Sequence, residues 1–254
     1  MGKQGAYAIG EMNAVLAPPM KLTIIQTGDV PASLQGRFGP YRAMFERMFD
    51  RTDLGFTYQS VAASDGEPLP HASDLEGIVI TGSPAGVYDD LPWLAPLRAF
   101  IRDAYGSRTP MLGICFGHQI MADALGGDVR KSDKGWGIGR HSYAVGERPA
   151  FMRQAPDLLA LGCSHQDQVI TPPAEAEVIL RSTFTPNAGL AYRNGAALSF
   201  QPHPEFEDAY TIALAELRWG EAPDQVVDSA LASMDTASDN AQVGAYIGQF
   251  FMGR

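Results

Sequence analysis

The stretch Gly113-Ile114-Cys115-Phe116-Gly117 constrains this chain more than any other. It follows the apolar run Pro110-Met111-Leu112 and leads into Gln119-Ile120-Met121, so it reads as a short buried strand turning at once into a helix that runs toward Leu125. In the pattern G-x-C-x-G the cysteine occupies a strained strand-to-helix turn, and glycines on either side remove side chains that would clash there. Such a turn aims the sulfur out of the sheet and toward the positive end of a helix, which favours a thiolate. A lone cysteine is equally read as a packing residue, because free cysteine is among the most buried residue types. The paired glycines, and two motifs further along, tip the reading toward chemistry.

The segments around this turn predict the fold class. Residues 20–27 are a first buried strand, 41–49 a helix with Met44, Phe45, Met48 and Phe49 on one side, and 56–62 a second strand. Residues 77–81 form a third strand, apolar throughout, as expected where helices cover both faces. A helix over 92–105 then carries Leu94, Leu97, Phe100, Ile101 and Ala104 on one side. The order β-α-β-β-α-β-α predicts an α/β fold, a three-layer and mostly parallel sheet flanked by helices. After Gly126-Gly127 the segments shorten, with strands expected up to Val145 and near Val178, Leu190 and Ala197. From Asp208 onward the chain reads as helical, in three pieces broken near 220–223 and 236–239. Residues 20–254 are expected to form one domain. Residues 1–19 lack a clear period and end in Ala17-Pro18-Pro19; they read as an N-terminal extension that need not be ordered, or Met20 is the natural start.

Composition removes several classes of function. The net charge of -10 over 254 residues, with no basic run, argues against a nucleic-acid binder. No apolar run approaches a membrane span, and Glu11 and Asn13 interrupt any secretory core, so no membrane partner and a cytoplasmic location are expected. The two cysteines, Cys115 and Cys163, are too few for a disulfide framework and form no C-x-x-C metal pair, so no metal is expected.

A cysteine nucleophile needs a base, and the base an orienter. Of the five histidines, His71 and His141 have uninformative neighbours. His118 lies inside the helix after Cys115, where its side chain should point away from the sulfur and pack. His165, in Ser164-His165-Gln166-Asp167, competes with His203. His203 follows a strand, is held between Pro202 and Pro204, and has Glu205 two residues on. In an extended segment those two side chains share a face, so the carboxylate can fix the imidazole tautomer and stabilise its cation. A second glycine-containing loop, Gly82-Ser83-Pro84-Ala85-Gly86, sits at the carboxyl end of the third strand, where doubly wound sheets bind ligands. Taken alone it is also an ordinary connecting loop, and it lacks the phosphate-loop pattern.

Together these motifs resemble the class I, triad-type glutamine amidotransferases. Gly113 to Gln119 and Gln201-Pro202-His203-Pro204-Glu205 are similar to that family's two signatures, and Thr81-Gly82-Ser83-Pro84 with Val87-Tyr88-Asp89 to its oxyanion strand. Ser164-His165-Gln166-Asp167-Gln168-Val169 is similar to a segment of the glutaminase domains of GMP synthases. The resemblance implies a flavodoxin-like sheet, Cys115 as nucleophile, His203 as general acid/base and Glu205 as its orienter. It also implies an oxyanion hole from the N–H groups of Gly82 and Phe116, and glutamine-binding roles for Gln119, Ser164, His165, Gln166 and Asp167. No cofactor is implied. The substrate would be glutamine or another γ-glutamyl compound, with ammonia passed to a synthetase in trans. The alternatives are a γ-glutamyl peptide or amine hydrolase acting alone and a catalytically silent regulatory relative. Two departures stand out: Ser83 where many relatives have a second glycine, and Pro202 where a bulky residue is common.

Overall fold

The computed structural model describes residues 19–253, so the expectation for residues 1–18 lies outside the described residues. Strands β1 (Lys21–Gln26), β2 (Thr57–Ala62), β3 (Gly77–Ile80) and β4 (Met111–Ile114) and helices α1 (Ala32–Phe38), α2 (Tyr41–Asp50), α3 (Leu94–Ser107) and α4 (Phe116–Ala124) follow one another as β1-α1-α2-β2-β3-α3-β4-α4. The later strands are β5 (Asp128–Lys131), β6 (Gly137–Val145), β7 (Leu158–His165), β8 (Asp167–Thr171), β9 (Ala176–Arg181), β10 (Gly189–Tyr192) and β11 (Ala197–Phe200). Helices α5 (Asp208–Glu216), α6 (Asp224–Ser233) and α7 (Asn240–Phe251) follow, with their breaks where the sequence placed them.

Nine strands form one sheet in the order β2-β1-β3-β4-β11-β10-β9-β6-β7, while β5 and β8 pair separately. From β2 to β11 the pairings are parallel, and from β11 to β7 they are antiparallel. The chain after Gly127 thus builds the antiparallel wing, and the expectation that its segments shorten is corrected: β6 and β7, at 9 and 8 residues, are the longest strands of the sheet, because they pair with each other along the whole of β7. Alternation along the parallel strands builds three layers. Leu22, Ile24, Val79, Leu112 and Ile114 pack on one face with Phe45 and Phe49 of α2 and Val243, Ile247 and Phe251 of α7. Ile25, Ile78, Ile80 and Met111 face Leu97 and Ile101 of α3 and Ile120 of α4. All four residues of β3 are buried, which is why that strand reads as one apolar run.

The contact between α4 and the sheet depends on two glycines. A Cβ at Gly117 would lie 2.3 Å from the Ile80 carbonyl oxygen, and one at Gly113 2.4 Å from the Gly117 carbonyl oxygen. Their role is close approach of backbone to backbone. Gly117→Ala is expected to lower unfolding stability by about 3 kcal/mol, since neither strand nor helix can retreat from a packed core. A chemical-denaturation midpoint unchanged from the parent would refute this.

Candidate active site

Cys115 sits between β4 and α4 with φ 53° and ψ -103°. A non-glycine residue at such angles carries of order 1–3 kcal/mol of strain, which persists only where surrounding structure imposes it. Here the Cys115 N–H donates to the Phe200 carbonyl at 2.8 Å, and the Cys115 carbonyl accepts from the Gln119 N–H at 3.0 Å, so the turn is held at both ends. The thiol is 7% exposed at the carboxyl edge of the parallel strands. Beside it, a Cβ at Gly82 would be 3.8 Å from the Cys115 Cβ and 3.3 Å from His203 Cε1. Gly82 thus leaves room for sulfur and imidazole to share one space. The N–H groups of Gly82 and Phe116 meet no acceptor among the described residues.

β11 lies next to β4 in parallel register, Phe200 opposite Ile114, so the residues that follow it arrive beside Cys115. The His203 N–H donates to the Gly162 carbonyl at 2.9 Å, pinning the backbone to β7. Glu205 then reaches back: its Oε1 lies 2.7 Å from His203 Nδ1, both groups buried. The sequence expectation of an extended His203–Glu205 segment is corrected in one respect. Residues Pro204 and Glu205 form a turn, and it is the turn that brings the carboxylate back to the ring. Phe206 stacks flat on the imidazole at 3.8 Å and 8°, fixing its plane. Burial opposes charge on His203 most strongly. The Glu205 carboxylate and Cys115 outweigh it and raise the imidazole to about 10, so the ring is held as a cation.

Gln201 was not singled out from the sequence as a site residue. It is fully buried, its Nε2 donates to Cys115 Sγ at 3.5 Å, and its Oε1 accepts from Gln119 Nε2 at 3.1 Å. Gln119 Nε2 also donates to the Asp167 carbonyl at 2.9 Å, so a chain of amides links β8 to the sulfur. The only signal in the sequence was its place in the last signature; its partners come from β4–β11 pairing.

Cys115 and Gln119 line a cavity of about 310 Å³ that also contains Ser164, His165, Gln166 and Asp167. The loop from Ser83 to Gly86, with Tyr88 and Asp89, lines it too, as the sequence expectation of a ligand loop after the third strand requires; Lys131, Trp136 and Arg218, assigned no site role from sequence, complete its walls. Burial raises the Asp167 carboxyl above its ordinary range against the pull of the Tyr88 hydroxyl and Lys131. Burial pushes His165 down to about 3, with His141 adding to the effect, so this ring is neutral and unsuited to pair with a thiolate. His118, also lowered to about 3 by burial, bonds Ser199 Oγ through Nδ1 at 2.8 Å, away from the sulfur. Cys163 is buried and pushed up to about 12 by that burial, an inert thiol.

Cys115 thus faces an imidazole held by a buried carboxylate, with the backbone N–H groups of Gly82 and Phe116 beside it. The sequence matches the family profile described as glutamine amidotransferase class-I over residues 43–210. It is 28% identical to gamma-glutamyl peptidase 3 of Arabidopsis thaliana over 79% of this chain and 83% of that protein. A GMP synthase [glutamine-hydrolyzing] of Nostoc is 31% identical, over 54% of this chain but only 25% of the synthase. Among solved structures, a glutamine amidotransferase from Thermotoga maritima superposes with a TM-score of 0.71 at 21% identity, covering 92% of this chain and 99% of that one.

Proposed function

The chain belongs to the class I glutamine amidotransferase family, and on that premise we propose that it hydrolyses a γ-glutamyl amide through a thioester at Cys115. The observation that carries this reading is the buried His203–Glu205 pair at 2.7 Å, raised to a cation beside the elbow cysteine. The Cys115 sulfur attacks the side-chain amide carbon, and the N–H groups of Gly82 and Phe116 receive the developing oxyanion. His203 gives its Nε2 proton to the leaving nitrogen as the C–N bond breaks. The neutral ring then takes a proton from water, which attacks the thioester; glutamate departs and the ion pair is restored. Ser164 to Asp167 and Gln119 hold the γ-glutamyl head. Protein groups and water serve every step. Two unpaired cysteines suit a reducing compartment, the cytoplasm.

Two substrates fit this chemistry: glutamine, with ammonia delivered to a synthetase in trans, or a γ-glutamyl peptide or amine. A cavity of about 310 Å³ reaching from Cys115 to Trp136 and Arg218 exceeds what an ammonia leaving group needs, which favours the second. The match to the peptidase along most of both chains favours it too. The test is glutamate release from glutamine, γ-glutamyl dipeptides and γ-glutamyl amines. A preference of about tenfold or more for the larger γ-glutamyl compounds is expected. Slow glutamine hydrolysis alone would point to the synthetase-coupled form, and no turnover of any of them would make the protein a silent relative.

A further inference from the structure

Arg218 projects into the cavity from the turn that follows α5, beyond residue 210 where the family match ends. Three contacts fix it. Its guanidinium carbon lies 4.1 Å from the centre of the Trp136 ring. Its Nη1 donates to Glu221 Oε2 at 2.7 Å, and its backbone carbonyl accepts from the Ala222 N–H at 2.9 Å. The Nε–H, by contrast, is buried and has no acceptor among the described residues. With Nη1 taken by Glu221, the edge formed by Nε and Nη2 remains, and that edge presents two parallel donors spaced for a carboxylate.

The two walls of the cavity differ. On one, Asp167 and Lys131 lie close enough to feel each other's charge, with Gln119 and Tyr88 beside them. That pairing of opposite charges suits the ammonium and carboxylate of a γ-glutamyl head. Arg218 belongs to the other wall. The turn that carries Arg218 closes α5, the helix that begins three residues after Glu205, and α5 packs Tyr210 edge-on against Phe206 at 4.6 Å, the ring that lies flat on His203. Arg218 therefore stands on the His203 side of the sulfur. The leaving nitrogen must take its proton from His203, so the departing half of the substrate occupies that side.

We infer that Arg218, stacked on Trp136 and steered by Glu221, binds a carboxylate of the leaving group through its Nε–Nη2 edge. The substrate class is then a γ-glutamyl peptide whose second residue bears a free carboxylate, in preference to γ-glutamyl amines. This rests on the γ-glutamyl hydrolase reading above.

The test compares kcat/KM for γ-glutamyl-alanine and γ-glutamyl-alaninamide, which differ only in the terminal carboxylate. The parent protein is expected to prefer the acid by about tenfold or more, the scale of a charge-assisted pair in a partly buried site. In Arg218→Gln the ratio should fall to within about twofold; Arg218→Lys, which keeps charge but not the fork, should be intermediate. A ratio is insensitive to how much of a variant folds. Cleavage of both compounds at equal rates by the parent, or an acid preference retained in Arg218→Gln, overturns the role of Arg218 and leaves the thioester mechanism standing. Failure of the parent to cleave either compound overturns the hydrolase reading, and this inference with it.

Discussion

Cys115→Ala is expected to lose turnover of γ-glutamyl substrates by about 10⁴-fold or more, the scale on which removing a covalent nucleophile acts. Stability should change by less than about 1 kcal/mol, because alanine keeps the Cβ and the φ of 53° is imposed by the bonds to Phe200 and Gln119. The separation of these two effects makes the experiment informative. A strained backbone at a buried turn is easily confused with a structural requirement, and a thermal melt distinguishes the two. Intact-mass detection of a γ-glutamyl adduct on the parent, absent from Cys115→Ala, would complete the case. Retained turnover in the variant would mean that the carbonyl is attacked by water, and that the elbow serves only packing.

The second large effect concerns the base. His203→Ala should lower kcat by about 10³-fold or more, while His165→Ala should act mainly on KM. The physical distinction is electrostatic. His203 is cationic because the buried Glu205 and Cys115 outweigh desolvation, whereas burial, with His141 adding to it, holds His165 neutral. The sign of the pH dependence follows. The protonated ring is the active partner of the thiolate, so activity is kept below the raised pKa and falls as pH climbs through about 10, rather than near the 6.5 of a free imidazole. Glu205→Gln removes the charge that raises His203, so the alkaline limb of the kcat/KM profile should move downward together with a loss of rate. An alkaline limb unmoved by that substitution, or a collapse in His165→Ala equal to that in His203→Ala, would reassign the base.

Much of the parallel half of the sheet was legible because its signals are local. The run Gly77 to Ile80 is apolar at every position, and α2 and α3 carry their buried residues at helical spacing. The breaks between the last three helices were marked by Gly220 and Pro223 and by the polar stretch up to Asp239. Helix α1 leaves little trace in the sequence because it is seven residues long, buries only Leu34 and has no side-chain cap. β5 is faint for a similar reason: of its four residues only Val129 is buried, too little for a period to show. The candidate site divides in the same way. Cys115, His203 and Glu205 were readable from glycine and proline spacing. Gln201 was not, because nothing in its neighbours reveals that it will face a sulfur.

What the sequence determined by itself was therefore the set of local geometries: a sharp turn at Cys115 that glycines alone permit, a buried apolar strand, a histidine confined between prolines. Which of these meet was decided by the tertiary structure. Pairing of β11 with β4 puts Gln201 and His203 at the thiol, a turn rather than a strand returns Glu205 to the ring, and the ends of two distant loops bring Arg218 onto Trp136. The reason is range. Backbone sterics and side-chain periodicity act over a few residues, whereas strand register and the burial of charge depend on neighbours that only the packed sheet supplies.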